Sequence, residues 1–108
     1  MNDKELLELA AKAAGIRLEW DGDPEKWVPT YYEGKTYHGW NPLTDDGDAL
    51  RLAVKLKMDI EFSMEGVWVI AKNFSNQMLD RFFIHNNDCS ATRRAIVRAA
   101  AEIGRGME

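Results

Sequence analysis

The stretch MDIEFSMEGVWVIA, Met58–Ala71, decides the fold. Met58-Asp59-Ile60-Glu61-Phe62-Ser63-Met64 alternates apolar and polar residues with period two, the pattern of a half-buried strand. Glu65-Gly66 is a turn signal, and Val67-Trp68-Val69-Ile70-Ala71 follows as a run that is apolar on both faces. Two strands joined by a tight turn form an antiparallel hairpin, and the second strand is central enough to be covered twice. Arg81-Phe82-Phe83-Ile84-His85 extends the pattern as a third consecutive strand, after a loop over 73–80, and 85–88 ends it.

Helices flank this hairpin. Upstream, Leu6, Leu7, Ala10, Ala13 and Ala14 share one face of a helix over 3–14. Asn2 or Asp3 is expected to cap it, and Gly15 stands where a left-handed C-terminal cap belongs. Before the hairpin, Ala49, Leu52, Ala53 and Leu56 form the stripe of a second helix. Thr44 is its expected N-cap, and Asp45, Asp46 and Asp48 lie where the helix dipole favours acids. Downstream, Thr92, Ala95, Ile96, Ala99, Ala100 and Ile103 line a third helix, with Ser90 as expected cap and Gly104 and Gly106 at its end.

Between the first two helices, Ile16–Trp20 alternates as a strand and Asp21-Gly22-Asp23-Pro24 reads as a turn. An irregular aromatic segment follows. Trp27–Tyr32 is expected as an edge strand, because Pro29 bars a central place, and Glu33-Gly34-Lys35 turns it back toward Thr36-Tyr37-His38. The expected class is α+β in a single domain over 1–108: a mainly antiparallel sheet of three to five strands packed with three helices as a two- or three-layer sandwich.

Composition narrows the function classes. The chain has 108 residues, 45% of them hydrophobic, with a net charge of −4. It lacks the basic surplus that draws a domain to nucleic acid, so direct nucleic-acid binding is not expected. Its one cysteine, Cys89, cannot form a disulfide within the chain and fits a reducing compartment. It is expected to be buried and inert. No window approaches the about 18–20 consecutive apolar residues of a membrane span, and the first residues do not read as a signal peptide, so a cytoplasmic location without membrane contact is expected.

At WNPLTDDGDALRLAVKL, Trp40–Leu56, and ATRRAIVRAAAEIGR, Ala91–Arg105, the chain resembles small accessory proteins of tailed phages and prophages. Their fold is described as a phage α/β sandwich domain. The resemblance implies a viral accessory origin and a compact α/β fold, with host-cell cytoplasm as the place of action. It carries over no catalytic residue, since no motif in that family fixes an activity.

Candidate contacts fall in two places. Tyr31, Tyr32, Tyr37 and His38 belong to the aromatic segment and suit stacking or a protein hot spot. Ser90, Arg93 and Arg94 stand at the start of the third helix, where unpaired N–H groups and guanidiniums suit an anion. At about 100° per residue, Arg94, Arg98 and Arg105 lie within about 40° of one another on the face opposite the apolar stripe; Arg93 alone lies off it. The chain's two histidines and one cysteine do not recur at metal-ligand spacing, so neither metal nor cofactor is expected. A Cys89 nucleophile with His85 as base has no recognisable oxyanion device.

These features support a non-enzymatic accessory protein that binds and inhibits a host protein, such as an antiviral defence component in the manner of an anti-CRISPR. One alternative is a small-ligand binder such as a signalling-nucleotide sponge, which needs the aromatic segment and Arg93 to share a cleft. Another is a small enzyme with its site formed across a dimer. Homodimerisation is expected if a second copy covers the two-faced strand.

Overall fold

A computed structural model describes residues 2–21, 28–33, 36–72, 78–86 and 88–107. The fold is α+β. In chain order it comprises α1 (Asp3–Ala14), β1 (Glu19–Asp21), β2 (Val28–Glu33), β3 (Thr36–Gly39), α2 (Asp46–Lys55), β4 (Asp59–Phe62), β5 (Gly66–Lys72), β6 (Met78–His85) and α3 (Cys89–Arg105). The strands form two antiparallel sheets, β1-β2-β3 and β4-β5-β6.

The hairpin closes as its alternation requires. Ser63 N–H donates to the Gly66 carbonyl at 2.9 Å, so Met64 and Glu65 form the tip and Gly66 opens β5. A Cβ on Gly66 would stand 2.2 Å from the Ile84 carbonyl oxygen, which explains why only glycine fits beside β6. Register puts Ile60, Val67, Val69, Ala71, Phe82 and Ile84 on one face. Val67, Val69 and Ala71 are fully buried there. The opposite face carries Trp68 against Phe83, with ring centroids 4.7 Å apart, and the Arg81 guanidinium 4.9 Å from the Trp68 ring centre. β6 begins at Met78, within the expected loop, because residues from Met78 on pair with β5 around a register shift at Ala71 and Lys72.

α3 packs against α1, α2, β5 and β6. Ala91, Ala95, Ile96, Val97, Ala99, Ala100, Ala101 and Gly104 are all buried, an arc of about 280° at about 100° per residue. The single stripe read from the sequence omitted Val97 and Ala101, which are buried in addition to the expected side. Small side chains on both helices, including Ala10, Ala11 and Ala14 of α1, let the backbones approach closely. At the closest point a Cβ on Gly104 would lie 2.0 Å from the Leu9 carbonyl oxygen.

The helix caps differ in part from expectation. α1 begins at Asn2, whose side chain accepts the Glu5 N–H, and ends at Gly15 in the left-handed region. α2 is capped by Asp45, which accepts the Asp48 N–H at 2.8 Å, and not by Thr44. The Thr44 hydroxyl turns back toward the Asn41 carbonyl. α3 is capped by Asp88, which accepts the Ala91 N–H at 2.8 Å, and not by Ser90, which lies inside the first turn. Each carboxylate stands three residues before its partner N–H, the spacing that a cap requires.

In the other sheet, pairing begins at Glu19, and Ile16–Leu18 precede it unpaired. β2 is the middle strand, contrary to the edge place expected from Pro29. Pro29 is tolerated because it faces only Trp20 of β1; pairing with β3 starts one residue later, at Thr30 opposite Gly39. Trp27 and the turns over 22–24 and 34–35 lie outside the described residues. Trp40, just after β3, is buried in the core.

The Gly104 contact predicts a specific cost. Gly104→Ala forces the helix backbones apart and is expected to destabilise the protein by at least about 2 kcal/mol in urea denaturation. Gly106→Ala, where an added Cβ meets nothing closer than 3.6 Å, is expected to stay within about 0.5 kcal/mol of the parent.

Candidate functional site

The connection into α2 is a network of main-chain donors and carboxylates. Asn41 Oδ1 accepts the Leu43 N–H at 3.0 Å, and the Asn41 carbonyl accepts the N–H groups of Thr44 and Asp45. The buried Asp48 accepts the Asn41 N–H at 2.9 Å and a hydrogen bond from Arg51 Nη2 at 2.7 Å. Asp45 is the cap, and Asp46 pairs with Arg93. All three acids of TDDGD therefore hold this chain's own groups.

Arg93 joins the starts of α2 and α3. Its Nε donates to the Leu43 carbonyl at 2.9 Å and its Nη1 to Asp46, and its side chain is only 19% exposed. The arginine that stands off the solvated face is thus a brace between two helices. Arg94 reaches Asp3 of α1 at 3.2 Å, a half-exposed pair of the kind that contributes little to stability. Ser90 is exposed. With Asp88 capping α3 and Asp46 held against Arg93, carboxylates already occupy the positive end that a phosphate would need. The backbones of Tyr31, Tyr32, Tyr37 and His38 lie in β2 and β3, and their side chains lie outside the described residues.

Cys89 is exposed, not buried. It is the first residue of α3, directly after the cap Asp88. His85 packs edge-on to Phe83, with ring centroids 5.3 Å apart, on the sheet face turned away from Val67 and Val69. Among the described residues, no group of three or more His, Cys, Asp or Glu side chains could hold a metal ion. None of the described helices is long and apolar enough to cross a membrane.

The feature that sequence reasoning missed is a groove between α2, β4 and the first turns of α3. Its volume is about 410 Å³. Ala49 and Leu50 of α2, Ile60 and Phe62 of β4 and Ile96 of α3 make its apolar lining, and Cys89, Thr92, Asp46, Asp88 and Arg93 complete it. Leu50 is 62% exposed and Phe62 64%. Val54, one helical turn after Leu50, is also exposed, as is Met64 at the hairpin tip. The tight exit from α2 sets the frame: the Met58 N–H donates to the Ala53 carbonyl at 3.0 Å, with Lys57 in the left-handed region, which brings β4 back beside the helix.

No protein-family model, curated protein or solved structure matches the chain. The groove's chemistry therefore rests on this chain's own residues. Its lining is mainly apolar, and two of its side chains, Leu50 and Phe62, stand largely in water.

A signal for the groove was present in α2. Leu50 and Val54 are apolar residues in excess of the stripe Ala49, Leu52, Ala53 and Leu56, spaced i, i+4 on a neighbouring strip.

Two measurements check these assignments. Arg93→Ala is expected to destabilise the fold by about 1–2 kcal/mol through loss of a part-buried hydrogen bond and packing, whereas Arg98→Ala, on the exposed face, is expected to change stability by less than about 0.5 kcal/mol. Under native conditions iodoacetamide is expected to label Cys89 fully without denaturant, read by intact mass.

Proposed function

We propose that this chain is a non-enzymatic phage accessory protein that binds a host protein, a component of an antiviral defence complex, and inhibits it. The observation that carries the reading is the apolar groove with Leu50 and Phe62 at its sides. Large hydrophobic side chains more than half exposed on two adjoining elements contribute nothing to the core and favour burial against a partner. The resemblance of Trp40–Leu56 and Ala91–Arg105 to phage accessory proteins supports the viral origin and, by association, a host target. The nucleotide-binding reading has less support, because Arg93 is engaged with Leu43 and Asp46.

The test uses bacteria that carry a defined antiviral system and a phage that the system restricts. Expression of the wild-type chain is expected to restore plaque formation and to co-purify one component of the system in stoichiometric amount. Phe62→Asp is expected to keep the melting temperature, since the side chain stands in water, and to weaken the complex by about 30-fold or more, the effect of losing about 2 kcal/mol at a hot spot. A wild-type chain that neither restores plaques nor retains a component, across a panel of such systems, overturns the proposal.

A further inference from the structure

β4 is an outer strand, and its ladder identifies the main-chain groups it leaves open. Ser63 and Gly66 form a hydrogen-bonded pair at the hairpin end. In an antiparallel ladder bonded and non-bonded pairs alternate. Glu61–Trp68 and Asp59–Ile70 are then the bonded pairs, and Ile60 and Phe62 turn their N–H and C=O groups away from β5. Among the described residues no strand lies along that edge. Ile60 and Phe62 also line the groove, so main-chain donors and acceptors and an apolar trough meet at the same two residues.

Charge selects what fits there. Asp59 and Glu61 alternate with Ile60 and Phe62, so they lie on the other face of the strand, and both are exposed. Lys72 pairs with Asp59 at 2.9 Å, while Glu61 faces Trp68 in register and has no ion-pair partner among the described residues.

We infer that the partner adds an extended segment as a fourth strand along β4, with apolar residues alternating with basic ones. This rests on the reading of the groove as a partner site. The segment bonds to the main chain of Ile60 and Phe62, directs its apolar side chains into the groove toward Leu50, and directs Lys or Arg toward Glu61. Such strand addition takes affinity from the main chain and specificity from alternate side chains. A second copy of this chain fits poorly. Of the three antiparallel registers that join the open groups, Ile60 against Ile60 places Asp59 opposite Glu61, Ile60 against Phe62 places Glu61 opposite Glu61, and Phe62 against Phe62 places Asp59 opposite Glu65; like charges directly opposite are destabilising.

The test is amide exchange by NMR on the whole chain, using the capped peptide acetyl-Lys-Val-Lys-Val-Lys-Val-amide as probe. In the free protein the amides of Ile60 and Phe62 are expected to exchange rapidly. With the peptide bound they are expected to slow by about ten-fold or more. The same peptide with Glu for Lys, or N-methylated along its bonding edge, is expected to lose that protection. Three results overturn the inference. Peptide-induced shifts of the Leu50 and Val54 methyls without protection of the two amides leave the groove as a partner site but exclude strand addition. An absence of both shifts and protection excludes the proposed segment chemistry. Protected amides in the free protein, with a dimeric mass by light scattering, assign the edge to a second copy. Failure of the underlying host-partner reading shows elsewhere, in the plaque and co-purification experiment with the wild-type chain.

Discussion

The absence of a side chain at Gly104 is the constraint on which the packing of this protein turns. It lets α3 lie almost against the Leu9 carbonyl of α1; Ala100 and Ala101 of α3, within about 60° of Gly104 at about 100° per residue, and Ala10, Ala11 and Ala14 of α1 are likewise small and buried. Small side chains bury little area individually, so the contact gains its strength from nearness, through many short dispersion contacts. The same helix also covers the sheet through Ile96 and its neighbours. α3 is therefore enclosed on most of its circumference, and its solvent-facing strip is the narrow band of Arg94, Arg98 and Arg105.

The start of α3 then sets the position of α2. Arg93 departs from the solvated band and reaches Leu43 and Asp46, tying the two helix starts together. Asp45 and Asp88 satisfy the N–H groups at those starts. Helix ends that could have formed an anion site are thereby neutralised from within the chain. Beside them remains a trough with a mainly apolar lining, framed on its other side by β4 because the turn at Lys57 returns the chain directly next to α2.

Much of this architecture was legible in the residues. The alternation at Met58–Met64 and the apolar run at Val67–Ala71 specify the hairpin, although the apolar face of the first strand is buried only in part, with Phe62 and Met64 exposed. Gly15 ends α1 through its left-handed backbone, and the Asn2 side chain, one of the two caps expected there, begins it. The misread caps have a common origin: Thr44-Asp45 and Asp88-Cys89-Ser90 each offer two competent side chains, and only the three-residue spacing to a free N–H selects between them. Periodicity finds one stripe on α3, while the second face depends on tertiary approach by α1, which small residues permit but do not announce. The groove is harder still. Ile60 and Phe62 are apolar strand residues of the ordinary kind; Ile60 is half-buried against the core and Phe62 exposed, with no strand beyond them among the described residues.

Exposed Leu50, Val54, Phe62 and Met64 have no explanation in the stability of this chain, since none belongs to its core. Polar residues at those positions would leave the packing of α3 intact and improve solubility. The acids on β4 sharpen the point. An open, partly apolar edge invites pairing with copies of itself, and charged residues on such an edge are a common means of preventing it. Lys72 compensates Asp59, and Glu61 is left as the carboxylate without an ion-pair partner among the described residues on that strand. The acids on the outward face of β4 are a device of that kind, set on the same short strand as the apolar residues that line the groove.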